Sequence, residues 1–209
     1  MDGDPQASLS RTFGQTDPAD RFYASLTQRA GLLVKQVADW FTITPSTLEL
    51  SRAETELIKE IGREHILRVA IDKTELSNDT VVLLDCPPSL GILAVNCLCA
   101  AGGLIVVIQP GGFELHAVVH LGMTVRVIQQ QANCELAVLG TILTNCHPRR
   151  KITGQIEEEL SRIHPVLGAV RTDAQLLYAT TAGTLLKLKR SNALSDYQRI
   201  VDRLWTVLA

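Results

Sequence analysis

Apolar residues follow two spacings along this chain. From residue 81 onward, short unbroken runs of β-branched and aliphatic residues alternate with longer segments in which apolar positions return every three or four residues. The first spacing suits a strand buried on both faces and the second a helix with one buried face. Strands are therefore predicted over 81–85, 104–108, 136–143 and 166–170, with helices over 89–101, 113–131 and 153–163. Strand and helix in alternation predict an α/β fold: a mostly parallel sheet with helices on both faces. A last helix over 194–208 places Leu194, Tyr197, Ile200, Val201, Leu204 and Leu208 on one face, with Asp196, Arg199, Asp202 and Arg203 on the other. That balanced polar face predicts docking on the sheet; a membrane-surface helix would be one-sidedly basic.

The first third is less regular. Residues 1–30 are polar and punctuated by Pro5, Gly14, Pro18 and Gly31, which predicts loop and short helix. A β-branched stretch over 40–44 ends at Pro45-Ser46. Ser51 with Glu54 three residues on has the form of a capping box, opening a helix that runs to about residue 71 on a stripe of Leu57, Ile58, Ile61, Ile66 and Leu67.

With 209 residues and 46% apolar content, the chain can bury one sizeable core, so a single domain over 1–209 is expected. The 20 basic and 22 acidic residues nearly cancel and give no argument for nucleic-acid or membrane affinity. Any DNA contact would come from local clusters such as Arg149-Arg150-Lys151 or Lys187, Lys189 and Arg190, which read equally as solvated surface. Five cysteines in mostly apolar surroundings suit reduced thiols. Cys97 and Cys99, two apart on a helix, point to different faces, and His116 with His120 is a thin basis for a metal site. No basic start leads into an apolar core and no run of 18 apolar residues occurs, so a cytoplasmic protein without a membrane span is expected.

The chemistry concentrates at strand ends. The run Val81-Val82-Leu83-Leu84 delivers one carboxylate, Asp85, before Cys86-Pro87-Pro88-Ser89, as nucleotide-hydrolysing α/β proteins do to hold magnesium beside a phosphate. The complementary phosphate loop, G-x-x-x-x-G-K-[ST], occurs nowhere between Met1 and Ala209. Asp2-Gly3-Asp4-Pro5-Gln6 offers two carboxylates two residues apart, which a strand would point the same way toward one metal or one water; the alternative is an exposed acidic start.

Taken in order, Asp-Gly-Asp-Pro-Gln at 2–6, Pro45-Ser-Thr-Leu-Glu-Leu, Leu84-Asp-Cys-Pro-Pro-Ser-Leu-Gly, Ile108-Gln-Pro, Leu139-Gly-Thr-Ile-Leu-Thr and Val170-Arg-Thr-Asp make the chain similar to the ParA family of partition ATPases, in the MinD/ParA group with a deviant P-loop. The resemblance covers essentially the whole chain. It implies a P-loop NTPase-like sheet, ATP and Mg2+ as cofactors, Asp4 as the catalytic carboxylate that positions water, Asp2 and Asp85 at the magnesium, and Gln6 in the same water network. It further implies that Asn145, Arg171 and Asp173 line the nucleotide base, although Asn145 reads equally as a turn residue before Pro148.

In the family, a strand, the phosphate loop and a helix precede the Asp-x-Asp-Pro-Gln segment. The resemblance thus implies a sheet lacking its first strand, P-loop and first helix, roughly 30 to 45 residues. It also implies that the 209 residues alone bind ATP weakly and fold poorly, because neighbouring strands lose a partner. The implied function is an ATP-dependent homodimer that binds DNA without sequence preference, associates with the nucleoid and is stimulated to hydrolyse ATP by a ParB-like partner. The alternatives are a non-enzymatic binding module or remnant and a MinD-like membrane-cycling ATPase.

Overall fold

A computed structural model describes residues 1–15, 21–111, 114–147 and 151–208. The elements in order are α1 (Ser8–Thr12), α2 (Arg21–Thr27), β1 (Lys35–Ala38), β2 (Phe41–Ile43), α3 (Leu50–Leu57), α4 (Ile66–Asp72), α5 (Ile92–Ala100), β3 (Gly103–Ile108), α6 (Glu114–Gln131), β4 (Ala137–Cys146), α7 (Lys151–Ser161), β5 (Val166–Arg171), α8 (Ala174–Thr181) and α9 (Asn192–Leu208). They group into two compact units, residues 1–101 and 102–209.

The first unit packs four helices around one apolar core. Phe22 and Leu26 of α2, Leu50, Ala53 and Leu57 of α3, Ile66, Leu67 and Ala70 of α4, and Leu93 and Cys97 of α5 are all buried in it. Each fully buried leucine contributes about 2 kcal/mol. Asn96 is also buried, and it is fully used: its Oδ1 accepts from Leu67 N (2.9 Å) while its Nδ2 donates to the carbonyls of Arg63 (2.8 Å) and Ile92 (2.9 Å). One amide thereby satisfies the open start of α4 from the middle of α5.

The helix expected from Ser51 to about residue 71 is two helices. Gly62 adopts a left-handed backbone (φ 64°) between them, and Ile58 and Ile61, counted in the apolar stripe, are exposed. Ser51 lies inside α3 and its hydroxyl donates back to Leu48 O (2.7 Å), so no capping box forms. The segment 40–44 belongs to an antiparallel hairpin, β1 with β2. The strand expected over 81–85 does not form: residues 81–84 carry no regular structure, and Asp85 makes an isolated parallel bridge with Asp2. Met1 N donates to Leu83 O (2.7 Å), Asp85 N to Met1 O (2.9 Å) and Gly3 N to Asp85 O (2.8 Å). On the other side Asp2 N donates to Thr44 O (3.0 Å).

The second unit is a parallel sheet in the order β3-β4-β5. Successive residues of β4 serve opposite faces, as the pleat requires. Leu143 enters a core with Val118 of α6 and Leu160 of α7; Ile142 enters a second core with Leu167, Val170, Ala193 and Ile200, the last two from α9. Both faces are therefore covered, as the unbroken apolar runs predict. The buried line of α9 is Ala193, Asp196 and Ile200, while Tyr197 and Val201 are exposed. Asp196, assigned to the polar face by pattern, thus belongs to the inner one.

Candidate functional site

In the first unit the candidate carboxylates gather where the paired segments end. Gly3 permits the approach: a β-carbon there would lie 2.8 Å from the Asp85 carbonyl oxygen and 3.4 Å from Cys97 Sγ. Asp2 is completely buried. Its Oδ2 accepts from both the amide (2.7 Å) and the hydroxyl (2.5 Å) of Ser10. The same hydroxyl accepts from Ser46 N (3.0 Å), so one oxygen ties α1, the loop after β2 and the Asp2 segment together. Asp4 is half-buried. Its Oδ1 accepts from Gln6 N (2.8 Å), an Asx turn, and its carbonyl accepts from Ser46 Oγ (2.7 Å). The strand-like alternation expected of 2–4 therefore stops at Gly3: Asp2 turns inward to Ser10, and Asp4 sits in the turn that exposes Gln6.

Asp85 keeps contact with solvent, yet its carboxyl is pushed above the ordinary value. Partial burial is the main cause, the charges of Asp2 and Asp4 add to it, and the Met1 ammonium offsets part. A cation placed there would relieve what burial and the neighbouring acids impose. Among the described residues no group of three or more His, Cys, Asp or Glu side chains is arranged to hold a metal. A single carboxylate meets a hard cation such as Mg2+ most readily through the ion's water shell, since Mg2+ gives up water reluctantly. His116 and His120 are both exposed on α6.

The second unit presents its candidates at the carboxyl ends of its strands, where open α/β sheets bind ligands. Asn145 lies in the left-handed region (φ 53°). Its Nδ2 donates to Gln109 Oε1 (3.4 Å) and its Oδ1 accepts from Thr172 Oγ1 (2.9 Å), linking the ends of β3, β4 and β5. Gln109 and Thr172 entered the sequence reading only as members of the Ile108-Gln-Pro and Val170-Arg-Thr-Asp motifs, without roles of their own.

Arg171 and Asp173 act first as struts. The Arg171 guanidinium makes a fork with Asp196, Nε to Oδ2 and Nη2 to Oδ1 at 2.8 Å each, and its backbone N–H reaches the same Oδ2 (3.0 Å). Arg199 also donates to Asp196 Oδ1. Hydrogen bonding from Arg171 holds the Asp196 carboxyl below its ordinary value. Asp173 caps α8 through the amides of Gln175 (2.9 Å) and Leu176 (3.2 Å), and also accepts from Ala193 N (3.2 Å) at the start of α9. The Ala193 bond is the largest reason its carboxyl is also depressed. Asp173, Gln175, Lys189, Arg190, Asn192 and Gln198 line an open cleft of about 830 Å³. Of the two basic clusters, Lys187, Lys189 and Arg190 are exposed. Arg149 and Arg150 lie outside the described residues, as does the side chain of Lys151. Among the described residues no helix is long and apolar enough to cross a membrane.

Known proteins share parts of this sequence and this fold. The AAA domain family model AAA_31 matches residues 1–138. The sporulation initiation inhibitor protein Soj of Bacillus subtilis is 29% identical over 167 residues, 78% of this chain and 66% of its own length. The chain thus spans just under two thirds of that relative. A plasmid partition protein of Borrelia burgdorferi superposes with a TM-score of 0.78 at 18% identity, over 98% of this chain and 83% of that one, and so shares the fold. Cobyrinic acid a,c-diamide synthase of Mycobacterium smegmatis, solved with an ATP analogue and magnesium, superposes with a TM-score of 0.70 at 28% identity, over 82% and 71%.

Proposed function

The chain belongs to the ParA family of partition ATPases, and on that premise we propose that it serves an ATP-driven switch that holds DNA as an ATP-bound homodimer and releases it on hydrolysis. The observation that carries this reading is the gathering of Asp2, Asp4 and Asp85: Asp2 bridges Asp85, and burial together with the charges of Asp2 and Asp4 raises the Asp85 carboxyl. A cation at Asp85 would offset that accumulated charge.

Asp85 would touch the water shell of Mg2+, which when bound neutralises phosphate charge and orients the nucleotide. Asp4, held in its turn by Gln6 N and Ser46 Oγ, is the residue to orient the attacking water and accept its proton; the exposed Gln6 side chain completes the water network. Asp2 contributes its charge from behind and, through Ser10, fixes the loop that carries Asp4. In the second unit taken by itself, the cleft beside Asp173, the Arg171–Asp196 strut and the Asn145 bridge form a polar surface suited to a nucleotide base. Lys187, Lys189 and Arg190 supply charge for the DNA backbone. A ParB-like protein is the proposed stimulating partner.

The test is DNA retention with and without ATP and Mg2+ at about 50 and about 200 mM salt. Retention that needs ATP and falls steeply with salt supports the switch. Retention indifferent to ATP would make the protein a plain binding module.

Asp85→Asn gives a second check. The ionised form of Asp85 is disfavoured in the fold, so at neutral pH the carboxylate costs stability, and the cost disappears as pH falls through the raised value toward the unfolded-chain value of 3.8. Asp85→Asn is therefore expected to raise the thermal midpoint at pH 7 by about 2 °C after solvent screening, with the difference gone near pH 4, while stabilisation by added Mg2+ is lost. Thermal melts across pH, with and without Mg2+, measure both.

A further inference from the structure

Helix α6 of the second unit is apolar on two opposite faces. Val118, Val125 and Ile128 are buried, and Val118 enters the core with Leu143 and Leu160. On the far side Val119, Met123 and Val127 are 46%, 57% and 49% exposed. They stand four residues apart and so form one continuous row about 12 Å long on the helix surface. A surface helix ordinarily turns charged and polar residues outward on that face. Here the exposed residues beside the row are His116, His120, Arg126 and Gln130, and residues 116–131 contain no Asp or Glu. A β-carbon at Gly122, next to the row, would meet no atom within 4 Å, which leaves a notch beside Met123.

We propose that this row is a contact between two copies of this chain, packed α6 on α6 in antiparallel order about a two-fold axis at Met123. The pattern itself selects the occupant. The row is symmetric about Met123, with valine four residues before it and four after. An antiparallel copy therefore sets Val119 against the second copy's Val127, Val127 against its Val119, and Met123 against Met123. Rows at this spacing pack into one another at helix contacts, and a two-fold contact has to be self-complementary in this way. The polar flanks match as well. His120, three residues before the axis, comes opposite Arg126, three after it, where a neutral imidazole accepts from a guanidinium. His116 and Gln130, seven residues to either side, also meet, and each can donate or accept. An acidic partner would find one fixed positive charge on this face, Arg126, and a basic partner would find no carboxylate.

The contact is small. One row from each chain buries less than the roughly 800 Å² per partner of a stable dimer, so a dissociation constant on the order of 100 μM is expected. Such a contact forms where copies gather at high local concentration and lets go when they disperse. It needs no nucleotide, and so goes beyond the ATP-dependent pairing proposed above.

The experiment is sedimentation velocity of the purified full chain, without nucleotide or DNA, from about 10 to about 500 μM, a range that brackets the expected constant. The wild type is expected to shift from monomer toward dimer across that range. Met123→Glu, a change at an exposed position, is expected to stay monomeric throughout while keeping the wild-type circular dichroism and thermal midpoint. Register is read by cysteine linking in a Cys86→Ser, Cys134→Ser background, which removes the two exposed native thiols. Met123→Cys is expected to link to itself under mild oxidant. Val119→Cys and Val127→Cys chains are expected to link to each other when mixed and far less to their own kind. A wild type that stays monomeric to the highest concentration overturns the proposal. So does a Met123→Glu chain that dimerises as the wild type does, or Val119→Cys linking preferentially to itself, the mark of a parallel or unspecific contact. No nucleotide or DNA is present in any run, so failure here and failure of the ATPase reading are told apart.

Discussion

Asp196→Ala is expected to lower the stability of the second unit by about 3 kcal/mol, because it strips the partner from four donors at one buried point. Asp196 is 2% exposed, and its two oxygens receive the Arg171 fork, the Arg171 amide and Arg199. Without it the Arg171 N–H at the end of β5 and a guanidinium drawn toward the α9 seam are left to find water. Asp196→Asn retains an acceptor for one donor and should lose less. The sign with pH follows from the depressed carboxyl. The stability it contributes is present above its unfolded-chain value of 3.8 and is lost as pH falls through the lower folded value. Asp173, depressed for the same kind of reason, acts in the same direction. Urea unfolding followed by circular dichroism should show the wild type weakening below about pH 4, and Asp196→Ala starting lower with a flatter acid limb. Equal midpoints at pH 7 would show that the fork carries no net stability.

The second large effect is Asp2→Ala, expected to destabilise the first unit by about 3 kcal/mol. Asp2 has no exposed surface, and the substitution would leave the Ser10 amide and hydroxyl without their acceptor. The Ser10 hydroxyl would then turn, and the Ser46 N–H would lose its partner as well. Hydrogen exchange at Ser10 and Ser46 is the direct measurement, with faster exchange at both amides expected. Exchange unchanged at Ser46 would show that Ser10 does not link the two segments. Ser10→Ala should reproduce the Ser46 effect alone, since the Ser10 amide keeps Asp2.

The second half of the fold was legible because its strands are buried on both faces. Runs such as Leu104 to Ile108 or Val166 to Val170 have no polar alternation to mislead, and the observed β3 and β5 differ from expectation by one residue at an end. Helix α8 was not legible. Leu177 and Tyr178 are exposed on it, so no single apolar stripe appears, and its one signal was Asp173 standing as an N-cap. The break between α3 and α4 was hidden by Ile58 and Ile61, apolar residues at helical spacing that the fold leaves in solvent.

At the candidate site, the three acids stood out in the sequence and the different surroundings of Asp2 and Asp4 did not. Asp2 and Asp4 look equivalent in sequence, and only the position of Ser10, eight residues beyond Asp2, makes one of them a buried strut. Asp196 was hidden for the opposite reason. Charge on a helix defaults to the outer face, and only the Arg171 fork brings this one inside. In an experiment that scores abundance in place of activity, Asp2 and Asp196 would weigh like core leucines, and Asp85 would weigh nothing or less.

Asn145 ends with fewer choices than either reading of it suggested. Its backbone, at φ 53°, admits Gly, Asn and Asp cheaply and taxes the rest. Its side chain must donate to Gln109 and accept from Thr172 at once. Gly has nothing to offer, and an ionised Asp can only accept. Of the twenty letters, one satisfies both demands, so turn residue and bridge are a single specification written twice at the same position.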